Sequence, residues 1–322
     1  LTFFSIHQVF LKLSVMLDAR QLQALSAVVE HGSFSAAAKA LALTVAAVSL
    51  RVRALETQLG QRLVVRGKQV RATPAGQALL AHVKQVQLME ADLLERLRGS
   101  DDQRWQSVPV AINADSAAAW FLPGVADLLA RQRLLLDLTI DDQDHTHELL
   151  KNGTVIGCVT TRADPMRGCV AEPLGIMRYR CVAAPAVVAR ARTPQGRLTP
   201  HRLLALPAVI FNRKDALQDV WLERHFGLRQ ARYPRHFTPA VDAFERAIEL
   251  GLGWGMVPEL HLAQRTGKLP LEEVIPDAVV DVALYWQHWE REPPTAQRLT
   301  RAIRDAARAA LLPLPAPHET QG

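Results

Sequence analysis

Ser49, Arg51 and Arg53 lie within a stretch bounded by Thr44 and Gly60, and its apolar residues Val48, Val52, Leu55 and Leu59 recur at i, i+4, i+7 and i+11. That spacing predicts a helix with one buried stripe. Ala46, Leu50 and Arg53 fall on the opposite side, flanked by Ser49 and Arg51. An arginine can donate two hydrogen bonds to a guanine edge, and a serine can bond a phosphate or a base edge. Further on, Leu63–Arg66 and Val70–Ala72 are short β-prone runs around Gly67-Lys68-Gln69. They read as a hairpin whose Arg66, Lys68 and Arg71 suit contact with backbone phosphates.

These side chains need a scaffold, and the flanking residues supply one. Leu22, Leu25 and Val29 mark a helix over 18–31 that ends at His31-Gly32. Ser33 is a cap for a short helix over 34–41, which buries Phe34, Ala37, Ala38 and Leu41. Thr44 caps the next helix, and Gly60 ends it. A short helix, a tight turn and a second helix with one apolar and one Arg/Ser face form a helix-turn-helix, whose second helix enters the major groove. Thr73-Pro74 opens a long helix to about Arg98. Its stripe of Leu79, Val83, Val86, Met89, Leu93 and Leu97 calls for a partner, either a second copy of itself or its own domain. Gly99-Ser100-Asp101-Asp102-Gln103 reads as a polar hinge.

Charge supports this division. The chain has 322 residues and a net charge of +6, and residues 1–100 hold 12 Lys and Arg against 6 Asp and Glu. The whole excess therefore lies in the first third, the footprint of a polyanion-binding module on a neutral body. Cys158, Cys169 and Cys181 show no paired spacing, which predicts reduced, mostly buried thiols in a cytoplasmic protein. No apolar run reaches the roughly 18–20 residues of a membrane span. Residues 1–15 are apolar and precede Met16, so they read as an upstream extension rather than a signal peptide.

Beyond the hinge, strand patterns over 108–113, 136–141, 155–161, 180–184, 208–211, 235–238, 254–257 and 282–286 alternate with helical ones over 117–131, 145–152, 244–250 and 296–312. Such alternation predicts an α/β body with parallel sheets, and a small ligand at the carboxyl ends of the strands. His145-x-His147 has too few companions to hold a metal. Gly251-x-Gly253-x-Gly255 lacks the strand-loop-helix context of a nucleotide loop and reads as a tight turn. No catalytic constellation is present, which argues against an enzyme.

Residues 17–98 resemble the DNA-binding domain and linker helix of LysR-type regulators. The resemblance rests on Gly32-Ser33-Phe34, Ala37-Ala38, Leu41, Thr44, Ala47-Val48-Ser49, Leu55-Glu56, Leu59-Gly60, Leu63, Arg66 and Thr73-x-Ala75-Gly76. Two further runs narrow it: Leu63-Val64-Val65-Arg66, where most of the family has Phe two residues before the Arg, and Ala111-Ile112-Asn113-Ala114-Asp115-Ser116-x-x-x-Trp120-x-Leu122-Pro123. With Asp141-Asp142, Gly153-x-Val155-x-Gly157 and Tyr285-Trp286, they are similar to the ArgP/LysG (IciA) subfamily over residues 16–312. Val45 and Ala46 replace the usual Gln and Ser, and Gly67-Lys68-Gln69-Val70 replaces a proline-bearing wing. Both departures touch the DNA face and leave the operator sequence open.

The resemblance implies a winged helix-turn-helix and linker helix, followed by a two-subdomain, periplasmic-binding-protein-like α/β effector domain. The expected boundaries are 1–15, 16–73, 74–103, 104–180 with 282–314, and 181–281. It further implies a regulator of basic amino-acid export with lysine or arginine as co-effector and no other cofactor. Double-stranded DNA is the main partner, RNA polymerase a candidate, and the assembly a dimer of dimers. DNA contacts are expected from Ser33, Thr44, Ala46, Ser49, Leu50, Arg51, Arg53, Arg66, Lys68 and Arg71. A basic amino acid needs acids for its two cations and a helix N-terminus or Arg for its carboxylate. Asn113, Asp115 and Ser116, then Asp141, Asp142 and Asp144, and Thr160 and Thr161 are the candidates, with Asn212, Thr238 and Gly253 from the second half. The plainer readings are a helix cap at Asp115 or Ser116 and a solvated acidic loop at 141–144. Three rivals stay open: a regulator with another effector, a nucleoid or replication-origin binder, and an amino-acid-binding protein or enzyme with a vestigial DNA domain.

Overall fold

A computed structural model describes residues 17–98, 105–140, 149–150, 153–265 and 269–315. The extension 1–15, the hinge 99–103, Asp141, Asp142, Asp144, His145 and His147 lie outside the described residues, as does most of the expected 145–152 helix. The chain divides into two units, Leu1–Asp102 with Glu148–Ile156, and Gln103–His147 with Gly157–Gly322.

The first unit is built by caps and a small apolar core. Helix α1 (Ala19–Glu30) starts at Asp18, whose carboxylate accepts from the amides of Arg20 and Gln21. Helix α2 (Phe34–Ala40) starts at Ser33, whose Oγ accepts from the Ala36 amide at 3.1 Å. Helix α3 (Val45–Leu59) starts at Thr44, whose Oγ1 accepts from the Ala47 amide at 3.1 Å, and it ends at left-handed Gly60. Each cap satisfies an amide that would otherwise be left open at a helix start. Ala24, Leu25, Val28, Ala37, Val48, Val52, Leu55 and Leu63 make the core, and Phe34, Leu41, Leu59, Leu79 and Leu80 pack around it. Strands β1 (Val64–Val65) and β2 (Arg71–Ala72) pair antiparallel as the hairpin wing. Helix α4 (Pro74–Arg98) follows. The first part of its stripe packs on its own domain. Leu79 and Val83 are covered, while Met89, Leu93, Leu94 and Leu97 are exposed, Leu97 by 72%.

The second unit starts with β3 (Gln106–Ile112), the short α5 (Ala114–Ser116), a π-helical turn over Ala117–Phe121, and α6 (Leu122–Arg131). The sequence pattern places one helix over 117–131; the π-turn is the addition, and with it the adjacent Trp120 and Phe121 both face inward, edge to face. Then come β4 (Leu134–Ile140), β5 (Gly157–Thr160), β6 (Cys169–Ala183), α7 (Pro185–Ala191), α8 (Pro200–Leu204), β7 (Ala208–Ile210) and α9 (Leu217–Phe226). The chain continues through β8 (Arg235–Phe237), α10 (Val241–Glu249), β9 (Trp254–Pro258), α11 (Glu259–Ala263), β10 (Glu272–Glu273), β11 (Val279–Trp289) and α12 (Pro294–Ala310).

One sheet runs β4-β3-β5-β11-β6-β9-β7-β8, with β10 added to β6. The expected parallel arrangement needs correction. It holds for β3 with β4 and β5, and for β7 with β8 and β9, but β6 and β11 are antiparallel to each other and to their outer neighbours. These two strands are also much longer than 180–184 and 282–286, because they carry the chain out to the β7–β9 half and back. Arg178 and Asp281 face each other across the pair and meet through two bonds of 2.7 and 2.8 Å. Beside them, Arg180 reaches Glu273 at 2.9 Å and Glu259 at 3.2 Å. At the other end a Cβ on Gly157 would collide with the Trp286 ring, whose indole N–H donates to Thr300 of α12 at 2.9 Å. Two residues of the subfamily pattern thus meet as a packing pair. Cys158 and Cys181 are buried and in no disulfide, and burial pushes the half-buried Cys169 thiol up to about 11.

Candidate nucleic-acid interface and effector site

The exposed face of α3 carries Ala46, Leu50 and Arg53, with Ser49 and Arg51 half-exposed beside them. Leu50 is 70% exposed, so an apolar side chain stands among the polar ones of this face. Such a residue suits contact with a thymine methyl. Ser33 and Thr44 spend their hydroxyls on helix caps, which fixes the two helices relative to the turn between them.

The wing is tied down at three points. Glu56 of α3 accepts from the Leu63 amide at 2.8 Å. Thr73 donates its hydroxyl to the Arg62 carbonyl at 2.7 Å and accepts from the Gly76 amide at 3.1 Å, so it also caps α4. Val70 donates its amide to the Gly32 carbonyl at 2.8 Å. Arg66, Lys68 and Arg71 are all exposed along this hairpin. The guanidinium of Arg66 lies over the Phe34 ring, 4.8 Å from its centroid.

In the second unit, Asn113 ends β3 and stands at the start of α5 without a side-chain capping bond. Asp115 is not a helix cap: its Oδ2 accepts from the Tyr179 hydroxyl at 2.8 Å. Ser116 is fully buried, and its Oγ, like the Asn113 Oδ1, has no protein partner. Unsatisfied buried oxygens at a strand end mark a place for a polar ligand or water. Across from this turn, Asp215 follows β7 and accepts from the Leu217 amide at 3.0 Å at the start of α9.

Burial raises the Asp115 carboxyl above its ordinary range. The Tyr179 hydrogen bond and His261 act against that shift, and the charges of Asp215 and Glu245 add to it. His261 of α11 faces Glu245 Oε1 through Nδ1 at 2.8 Å and the Asp115 carbonyl through Nε2 at 3.2 Å. Two acceptors favour the imidazolium. Burial opposes that charge, but Glu245 and Asp115 outweigh it and the pKa is raised. Arg265 bonds Glu249 at 2.6 Å and approaches Glu245 at 3.7 Å, so the Glu residues of α10 have cations of their own. Gln264 donates to the Ala119 carbonyl in the π-turn at 3.2 Å. Asp115 thus feels a second acid, Asp215, and His261, which it shares with Glu245.

The other candidates play smaller visible parts. Thr160 is buried and accepts from the Arg162 amide. Thr161 follows it, half-buried. Asn212 accepts from the Lys214 and Asp215 amides and so shapes the loop that presents Asp215. Thr238 donates its amide to Ile210 beyond β8. Gly253 is buried where a Cβ would collide with the Pro207 carbonyl. Asp215, Tyr179, Glu245 and His261 were absent from the sequence candidates. Asp215 could have been found by the rule that pointed to Asp141, an acid just past a parallel strand. Tyr179 lies in mid-strand and gives no local signal.

Residues 19–77 match the model of the bacterial regulatory helix-turn-helix protein, lysR family, and residues 107–308 match that of the LysR substrate binding domain. The chain is a LysR-type transcriptional regulator. This regulator is 42% identical to HTH-type transcriptional regulator LysG of Mycobacterium tuberculosis over 294 residues, 90% of this chain and 94% of the relative. It is 37% identical to ArgP of Aeromonas salmonicida over 297 residues, 92% and 99% of the two chains. Among solved structures, ArgP from Mycobacterium tuberculosis superposes with a TM-score of 0.83 at 40% identity, covering 93% of the regulator and 100% of that chain. Full-length LysG from Corynebacterium glutamicum with bound effector Arg gives 0.76 at 33%, covering 92% and 100%. The regulator is of the LysG/ArgP type, its relatives are DNA-binding regulators and not enzymes, and the subfamily resemblance seen in the sequence is borne out.

Proposed function

We propose that this regulator senses a free basic amino acid, arginine or lysine, and controls transcription of a gene for its export. The observation that carries the reading is the pair of carboxylates, Asp115 and Asp215, on strand-end loops of the two halves of the effector unit. A carboxyl whose charged form is disfavoured by burial and by a neighbouring acid favours a cationic ligand, since the cation restores that charged form. The unpartnered Ser116 and Asn113 oxygens supply polar contacts at the same turn. The arginine bound in a relative matched over its whole length supports the ligand class. Asp141, Asp142 and Asp144, Thr160 and Thr161, Asn212, Thr238 and Gly253 remain members of the proposed site. The effector subdomains are proposed as 104–180 with 282–314, and 181–281.

The DNA-binding unit reads its operator through Ser49, Leu50, Arg51 and Arg53 with Ala46, and holds the backbone through Arg66, Lys68 and Arg71, with Ser33 and Thr44 at the helix starts. Exposed Met89, Leu93, Leu94 and Leu97 on α4 support assembly through linker helices into a dimer and a dimer of dimers. The assembly acts on double-stranded DNA in the cytoplasm, with RNA polymerase as its downstream partner.

Calorimetry of the full chain against L-arginine, L-lysine and their uncharged analogues citrulline and norleucine tests the ligand. Fluorescence anisotropy on the gene's own upstream intergenic DNA, at fixed salt with competitor, tests the regulation. Binding of arginine or lysine but not the analogues, together with a changed DNA complex, is expected. Specific DNA binding without any amino-acid response overturns the effector, and equal affinity for competitor DNA brings the nucleoid-binding alternative forward.

A further inference from the structure

The Arg66 guanidinium belongs to the wing and the Phe34 ring to the first helix of the helix-turn-helix, yet the two are stacked at 4.8 Å. Phe34 is the first residue of α2, directly after the capping Ser33, and half-buried against the core. Its ring direction is therefore set by the helix start. The Val70 amide donates to the Gly32 carbonyl, so wing and helix start are joined by a second contact two residues before the ring. A guanidinium held over an aromatic face still has N–H groups free for a planar acceptor. An unheld arginine must surrender several rotamers when it meets a phosphate. One that is already stacked has given them up before DNA arrives, and preorganisation of this kind is returned as affinity.

We propose that Phe34 is a positioning residue for DNA binding: its ring holds Arg66 in the orientation that clamps a backbone phosphate of double-stranded DNA. The contact is sequence-independent, because a phosphate carries no base identity. Phe34 itself touches no DNA and acts only through Arg66. This inference rests on the winged unit's DNA-binding role and is independent of the effector.

The test uses the full chain and fluorescence anisotropy over a range of salt, on two duplexes: the upstream intergenic DNA and a scrambled duplex of equal composition. Phe34→Leu is expected to weaken binding about 3- to 5-fold on both duplexes, the range of an exposed cation–π contact. Phe34→Leu keeps the Arg66 charge and so should keep the parent's log–log salt slope, whereas Arg66→Ala should lower its magnitude by about 0.9, the loss of one phosphate contact. Phe34→Tyr, which keeps the ring face, should bind as the parent does. The double variant F34L/R66A should be no weaker than R66A alone. Losses that multiply in the double variant, or a parental salt slope for R66A, overturn the proposal. If melting curves show that F34L is unfolded, Arg66→Lys decides: parental affinity and slope overturn the proposal, and most of the R66A loss upholds it. A parent chain that binds neither duplex would instead sink the DNA-binding reading, a failure visible before any variant is made.

Discussion

In the proposed site, Asp115 is a cost in the empty protein and an asset in the liganded one. Its pKa is raised, first by burial. A raised acid favours folding only below its unfolded value near pH 4, and loses that contribution as pH rises through the folded value. At neutral pH its burial therefore weighs against the fold. Asp115→Asn is expected to raise the melting temperature of the ligand-free chain while weakening arginine binding at least about tenfold, since an opposite charge in a dry site is worth more than about 1.4 kcal/mol. Paired melting and calorimetry measure both, and a variant that binds arginine normally sinks the assignment. His288 behaves in the opposite sense at neutral pH. It is buried beside Glu292 at 3.2 Å and Glu172 at 3.4 Å, with Arg304 on the far side of Glu172. Burial opposes its charge, but the carboxylates prevail and its pKa is raised. Its contribution is complete below about pH 6.5 and fades as pH rises through the folded value. The melting difference between the parent and His288→Gln should thus shrink from pH 6 towards alkaline pH.

At the scale of elements, α3 separates stability from recognition along its two faces. Leu55 is fully buried, and Leu55→Ala should cost about 2–5 kcal/mol in urea unfolding of the DNA-binding unit. Arg53→Ala, on the exposed face, should leave unfolding unchanged and weaken operator binding by about 1–3 kcal/mol if it reads a base. The caps, the turn and the wing were legible in the sequence, because Ser33, Thr44, Gly60 and Thr73-Pro74 act within their own neighbourhoods. The central strands were legible only in part. Residues 180–184 and 282–286 looked like ordinary short strands, and nothing local announces that β6 starts at Cys169 or that β11 ends at Trp289. Their length follows from pairing with each other, a long-range property, and so does the mixed rather than parallel sheet. The effector turn at Asn113–Ser116 was legible from its place after a strand. Its partners were not, because Tyr179 and His261 reach it from strands and helices more than sixty residues away.

For the whole molecule, the placement of charge makes a direct prediction. All of the +6 excess belongs to residues 1–100, so a fragment of those residues should carry nearly the full salt dependence of DNA binding, and residues 105–315 should show none. Anisotropy across a salt series compares them; a comparable slope for the C-terminal fragment would place the phosphate contacts elsewhere. Reciprocity binds the two activities together, since a ligand that alters operator affinity by some factor must have its own affinity altered by that factor when operator is present. The sheet has a second consequence, in the history such a chain can have. Because β6 leads out and β11 leads back, and Arg180 stands opposite Val279 in register, the two ends of the intervening hundred or so residues are a single strand spacing apart, about 4.8 Å. One recombination event could exchange that whole stretch and rejoin the chain without stretching a bond. A descendant could thus acquire half of a new binding cleft at a stroke, while the winged unit kept its address on the chromosome.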